Sequence, residues 1–149
     1  MFGLGKGKMK QASQTLGSCL SRVDLLRGNS YDTFVEKEFC SYVFGDPSGA
    51  LLHAIGGDYE GSFLVSYHEL GRVTVEVYFS TRRGLEVYGA LVQALQRYAG
   101  GCSGRDITHY VPGERATTFS VWQDGVSEGN LAANATRLLD IACAILKSL

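Results

Sequence analysis

The stretch 62–99, SFLVSYHELGRVTVEVYFSTRRGLEVYGALVQALQRYA, sets two strand-like runs either side of Gly71 and leads the second straight into a helical segment. In the second run Val73, Val75, Val77 and Phe79 alternate with Thr74, Glu76 and Tyr78. A pleated strand turns successive side chains to opposite faces, so the odd-numbered set belongs to a core and the even-numbered set to the other face. Ser80 or Thr81 is placed to cap a helix over 82–99. There Leu85, Tyr88, Val92, Leu95 and Ala99 form a stripe, widened by Leu91 and Ala94, with Glu86, Gln93, Gln96 and Arg97 opposite. A stripe that broad requires a sheet to pack on.

The remaining elements follow from the same rules. Residues 1–8 are rich in Gly and Lys and read as a flexible basic leader, with a single domain over 9–149. Ala12, Leu16, Cys19, Leu20, Val23 and Leu26 mark a helix from Met9 to Arg27, stopped at Gly28-Asn29. Residues 33–44 read as a strand whose alternation falters at Glu36–Glu38, and Asp46-Pro47-Ser48-Gly49 is a turn. Strands over 50–55, 62–68 and 73–79 come next, then, beyond the helix, strands over 107–111 and 117–123 joined through Pro112-Gly113. A last helix over 128–147 is capped by Ser127 or Asn130, and Leu131, Ala135, Leu138, Ala142, Ile145 and Leu149 form its stripe, backed by Leu139 and Leu146. The expected fold is α+β and two-layered, in the order α-β-β-β-β-α-β-β-α. It has a mainly antiparallel sheet of five to six strands with helices on one face.

With 149 residues, 45% apolar and 19% charged, the chain has the composition of a globular domain able to bury a core without staples. No apolar run reaches the roughly 18–20 residues of a membrane span, and the start MFGLGKGKMK lacks the apolar stretch of a signal peptide. Phe2 stands where myristoylation needs glycine. A cytoplasmic location is expected. Cys19, Cys40, Cys102 and Cys143 form no CxxC pair, so a paired-cysteine zinc site is not indicated. Residues 1–30 balance at +4 and the rest at −5, a basic start on a mildly acidic body. That start reads as a solvated segment or as an arm for an anionic surface.

Little in the chain carries reaction chemistry. Gly3, Gly5 and Gly7 beside lysines lack the spacing of a phosphate loop and the strand that precedes one. Asp58 and Glu60 are too few for a calcium loop. Cys102, in the loop GGCSG, with His109 and His68 forms the constellation open to nucleophilic or metal chemistry. Yet a thiol just beyond a helix C-terminus meets the negative end of the dipole, which disfavours its thiolate. No cofactor is expected.

The even-numbered sheet face is more informative. Tyr78 and Trp122 belong to it, and Tyr110 is placed to join them. Tyr and Trp dominate interface hot spots, so these residues read as a contact surface. They equally fit a cross-strand pair worth about 0.2–1 kcal/mol. Arg82 and Arg83 sit in the first turn of a helix, where each exposed cation costs about 0.3–1 kcal/mol. They are either solvated or, with Arg72, a small basic patch facing an anionic partner. Such a patch is too small to indicate nucleic-acid binding.

In this order of elements the chain resembles the class I type III secretion chaperones, small proteins built as helix–three strands–helix–two strands–helix. Segments 9–27, 50–79, 82–99, 107–123 and 128–147 correspond in sequence order, across nearly the whole chain and as a pattern without a short motif. The chain departs from that pattern in its basic start, where those chaperones tend to be acidic, and in a further strand at 33–44. The resemblance implies capture of a protein segment without catalysis, an analogy at the level of fold. The expectation is a non-enzymatic protein-binding module of chaperone or adaptor type, a homodimer that holds its partner by the open sheet face or by strand addition at an edge. The alternatives are a structural subunit of a larger assembly and a small Cys/His-dependent enzyme or metal-binding protein.

Overall fold

The computed structural model describes the backbone of residues 2–22, 31–45, 60–80, 85–110 and 116–149, and within them the side chains of 7–22, 32–43, 62–79, 87–107 and 117–149. The alternating run forms strand β4 (Arg72–Ser80), with Val73, Val75, Val77 and Phe79 completely buried and Tyr78 exposed. It pairs on one side with β3 (Glu60–His68) and on the other with β6 (Ala116–Gln123). With β1 (Tyr31–Val35), β2 (Phe39–Gly45) and β5 (Gly104–Tyr110) these make one antiparallel six-stranded sheet in the order β1-β2-β3-β4-β6-β5. Helices α1 (Phe2–Leu20), α2 (Leu85–Tyr98) and α3 (Leu131–Lys147) form the second layer. The architecture is the expected α+β arrangement.

Helix α1 packs on β1, β2 and β3 and against α3; α3 lies on β4 and β6, and α2 sits at the margin against α3 and β5. The buried apolar side chains form one connected cluster between the layers. All the expected core positions of α3 from Leu131 to Leu146 are buried, with Leu149 packed against the same cluster. The Tyr42 hydroxyl, from β2, donates to the Ser13 carbonyl of α1 at 3.0 Å in a buried position.

Three elements differ from expectation: the run 33–44 and the helices α1 and α2. The run 33–44 is not one strand but the hairpin β1–β2, with Val35 and Cys40 as ladder partners. Three successive charged residues, Glu36-Lys37-Glu38, offer no side chain for the core beneath α1, so the chain reverses there. The expected strand at 50–55 lies outside the described residues. Helix α1 begins at Phe2 and not Met9, so the glycine- and lysine-rich stretch continues the helix. Once the Met9–Leu20 segment is anchored by packing, propagation through each glycine costs only about 1 kcal/mol. The helix also ends at Leu20, with Ser21-Arg22 in a turn, and the rest of the stretch expected to reach Arg27 lies outside the described residues. Helix α2 is rotated: Val87, Leu91, Ala94 and Leu95 face the core, while Tyr88 is 37% exposed.

The β3–β4 hairpin closes through Glu69-Leu70-Gly71, with Gly71 at φ +93 and its carbonyl accepting from the Val126 amide at 2.9 Å. Left-handed backbone and the Val126 backbone beside the missing Cβ both demand glycine at this position.

Removing the Tyr42 hydroxyl as Tyr42→Phe keeps the packing and deletes the buried bond. A loss of about 1 kcal/mol in urea unfolding is expected. Burial pushes the Cys40 thiol up from 9.0 to about 11, an amide hydrogen bond from Tyr67 offsetting part of it, and burial likewise raises Cys143 to about 11. A raised folded-state value means that the stabilising contribution is complete below about pH 9 and is lost as pH rises towards about 11. The urea midpoint should therefore fall over that window, and fall less in Cys40→Ala.

Candidate binding face

The strand face opposite the helices is not covered by any described element, and the register arranges it in rows. One row runs Phe34, Ser41, Ser66, Thr74, Trp122 and Gly104, one residue from each strand. Another holds Ser62, Tyr78, Thr118 and His109. Phe39, His68 and Arg72 form a third at the end where the β3–β4 turn lies. The small hydroxyl residues Ser41, Thr118 and Ser120 are buried among larger neighbours. Phe34, Phe39 and Tyr78 are 50%, 39% and 45% exposed.

Trp122 and Tyr78 share this face but do not form a cross-strand pair. The ladder partner of Trp122 on β4 is Thr74, four residues before Tyr78, which sets the two aromatics about 13 Å apart along the strands. Trp122 instead lies over its other partner, Gly104, where an added Cβ would fall inside the indole ring. The Arg72 guanidinium sits 5.4 Å from the indole centroid, a cation–π contact. Arg72 also holds Asp124 by two bonds, Nε to Oδ1 at 2.7 Å and Nη2 to Oδ2 at 3.1 Å. This pairing raises the Arg72 pKa and lowers that of Asp124. Both side chains are half-exposed, so solvent screens the pair, and its value is chiefly geometric. The Asp124 amide in turn donates to Ser103 Oγ at 2.8 Å, which ties the start of β5 to the end of β6.

Of the other expected contact residues, only the backbone of Tyr110 is described. The ladder shifts between Ile107 and His109, so Tyr110 is partnered with Thr117, outside the row of Tyr78 and Thr118. The bulge adds one residue to β5 and breaks the simple parity on which the even-numbered assignment rested. The side chains of His109 and Tyr110 lie outside the described residues, as do Arg82 and Arg83 altogether. Arg72 is engaged by Asp124 and Trp122. Phe34 and Phe39 stand either side of Val35-Glu36-Lys37-Glu38, and the sequence pattern marks neither as a contact residue.

The residues read for chemistry are scattered. His68 Nδ1 accepts from the Leu70 amide at 3.2 Å, a local turn contact. Cys102 is half-buried; burial raises its pKa, and Arg137 and Arg105 offset part of the rise. Among the described residues no three His, Cys, Asp or Glu side chains are grouped to hold a metal ion. No described helix is long and apolar enough to cross a membrane. Comparison with protein-family models, curated proteins and solved structures finds no match.

Gly104→Ala should displace the indole from its seat. The expected result is a red-shifted tryptophan emission together with a loss of about 1–3 kcal/mol in urea unfolding.

Proposed function

We propose that this chain is a non-enzymatic protein-binding module of chaperone or adaptor type, acting as a cytoplasmic homodimer and holding a segment of another protein on its open sheet face or at a sheet edge. The observation that carries the reading is the exposure of Phe34, Phe39 and Tyr78 on the one face that no described helix covers. Aromatic side chains presented from a hydrogen-bonded sheet lose little entropy when they are covered, which suits them as anchors. The edge strand β1, paired on one side by β2 among the described residues, offers the complementary mode of strand addition. The order of elements adds the analogy to the class I type III secretion chaperones, with four described strands before the middle helix where those proteins have three.

The test starts from copurification in the native source, with partners identified by mass spectrometry and their binding then measured with purified proteins. Phe34→Ser/Phe39→Ser/Tyr78→Ser should weaken that binding by more than about tenfold. Exposed positions of this kind shift stability little, so the urea midpoint should stay close to that of the parent. Undiminished binding by the folded triple variant would overturn the proposal.

A further inference from the structure

The five ladders together align one more row across the open face: Asp32, Val43, Leu64, Glu76, Ser120 and Asp106, one from each strand in spatial order. With strands about 4.8 Å apart, the row spans about 24 Å. It carries a carboxylate at each edge and one near its centre, and no cation. Asp32 and Asp106 are exposed, and Glu76 is half-buried with Leu64 and Ser120 as its cross-strand neighbours. Among the described residues, no ion pair joins any of the three to a basic side chain. Arg72, the arginine that the described residues place on this face, stands in a different row and is held by Asp124.

The row lies between two rows that carry aromatics. Phe34 and Trp122 flank it on one side and Tyr78 on the other. A partner that rests on those aromatics must also cover Glu76. Covering a carboxylate with apolar surface removes its water and gives nothing in return, which opposes binding. A Lys or Arg at that point reverses the sign, and a polyanion such as nucleic acid is disfavoured by all three carboxylates. Resting on the protein-binding reading above, we infer that the segment bound by this face is cationic and amphipathic. Its basic side chains meet Asp32, Glu76 and Asp106 while its apolar ones rest on Phe34, Trp122 and Tyr78.

Trp122 is the single tryptophan of the chain and stands beside this row, so its emission reports occupancy directly. The probe is an amphipathic Leu/Lys peptide of roughly 16 residues, long enough to span the row as a helix at about 1.5 Å per residue. Its counterpart has every Lys replaced by Glu. The Leu/Lys peptide should perturb Trp122 emission and bind at least about tenfold tighter than the Leu/Glu peptide. Its affinity should fall as salt rises from about 50 to 300 mM. Glu76→Gln should weaken it about fivefold and the exposed Asp32→Asn or Asp106→Asn about twofold each. Asp140→Asn, on the exposed side of α3, should leave it unchanged. Equal affinity for both peptides, no binding of the Leu/Lys peptide, or equal loss in Asp140→Asn and Glu76→Gln would overturn the inference. So would a concentration-dependent self-association that shields Trp122 from acrylamide, which would assign the face to a second copy. If the native partner still depends on Phe34, Phe39 and Tyr78 when the peptides show no charge preference, the protein-binding reading survives and this inference alone fails.

Discussion

Val75 pairs with Val65 on one side and Val121 on the other, and all three are completely buried on the side of the sheet packed by α3. The next core row, Phe63, Val77 and Phe119, repeats the arrangement, with Phe119 also meeting Phe79 edge-on at 6.2 Å between ring centroids. These two rows set the register of the three central strands. A slip of one residue in β4 would carry Arg72, Thr74, Glu76 and Tyr78 beneath the helices, so the alternative pairing is excluded by the burial of charge. Everything outward follows from that choice. β2 is registered on β3, β1 on β2, and β5 on β6, so the composition of the open face is decided in the core.

The same alternation explains what could be read from the residues alone. Val73–Phe79 and the stripe of α3 show single, unambiguous periods, and both face inward as their spacing demands. Helix α2 is apolar around more than half its circumference, so spacing permits two adjacent stripes. Its marginal position against α3 and β5 selects the one through Val87 and Leu91. Nothing within 85–98 encodes that position. The hairpin at 36–38 was hidden because a charged triplet reads as a flaw in one strand until a partner for Val35 is known. The ladder partner of Tyr110 is Thr117 because a bulge shifts the register of β5, and no residue type announces a bulge. Trp122 was assigned the correct face, but its seat over Gly104 depends on which strand lies beside β6, a long-range fact.

The end of the sheet that presents Phe39 and Trp122 is held by bonds between loops distant in sequence. The Glu69 amide donates to the Glu38 carbonyl at 2.8 Å, and the Val126 amide to the Gly71 carbonyl at 2.9 Å. Ser103 accepts from Asp124, and Arg72 spans Trp122 and Asp124. Each contact is modest by itself. Together they link the β1–β2 turn, the β3–β4 turn, the start of β5 and the loop into α3, so the aromatic rim is presented by interlocked turns. Preorganisation of that kind lowers the ordering cost of any contact made there.

Glu76 limits what can cover the face on which no described helix packs. It stands on the same strand as the four most deeply buried positions of β4, one residue from Val75 and Val77, in the middle of the sheet. Had a second layer of apolar helices closed over β4, this carboxylate would be buried between Leu64 and Ser120 without a counter-charge, a loss of several kcal/mol from a fold with few to spare. Among the described residues Glu76 is half-buried and no helix packs over it, so its carboxylate keeps a share of water. On the proposed reading, the strand that builds the core thus limits the partner as well, because a cover over Glu76 has to bring a polar or positively charged group to the centre of the sheet.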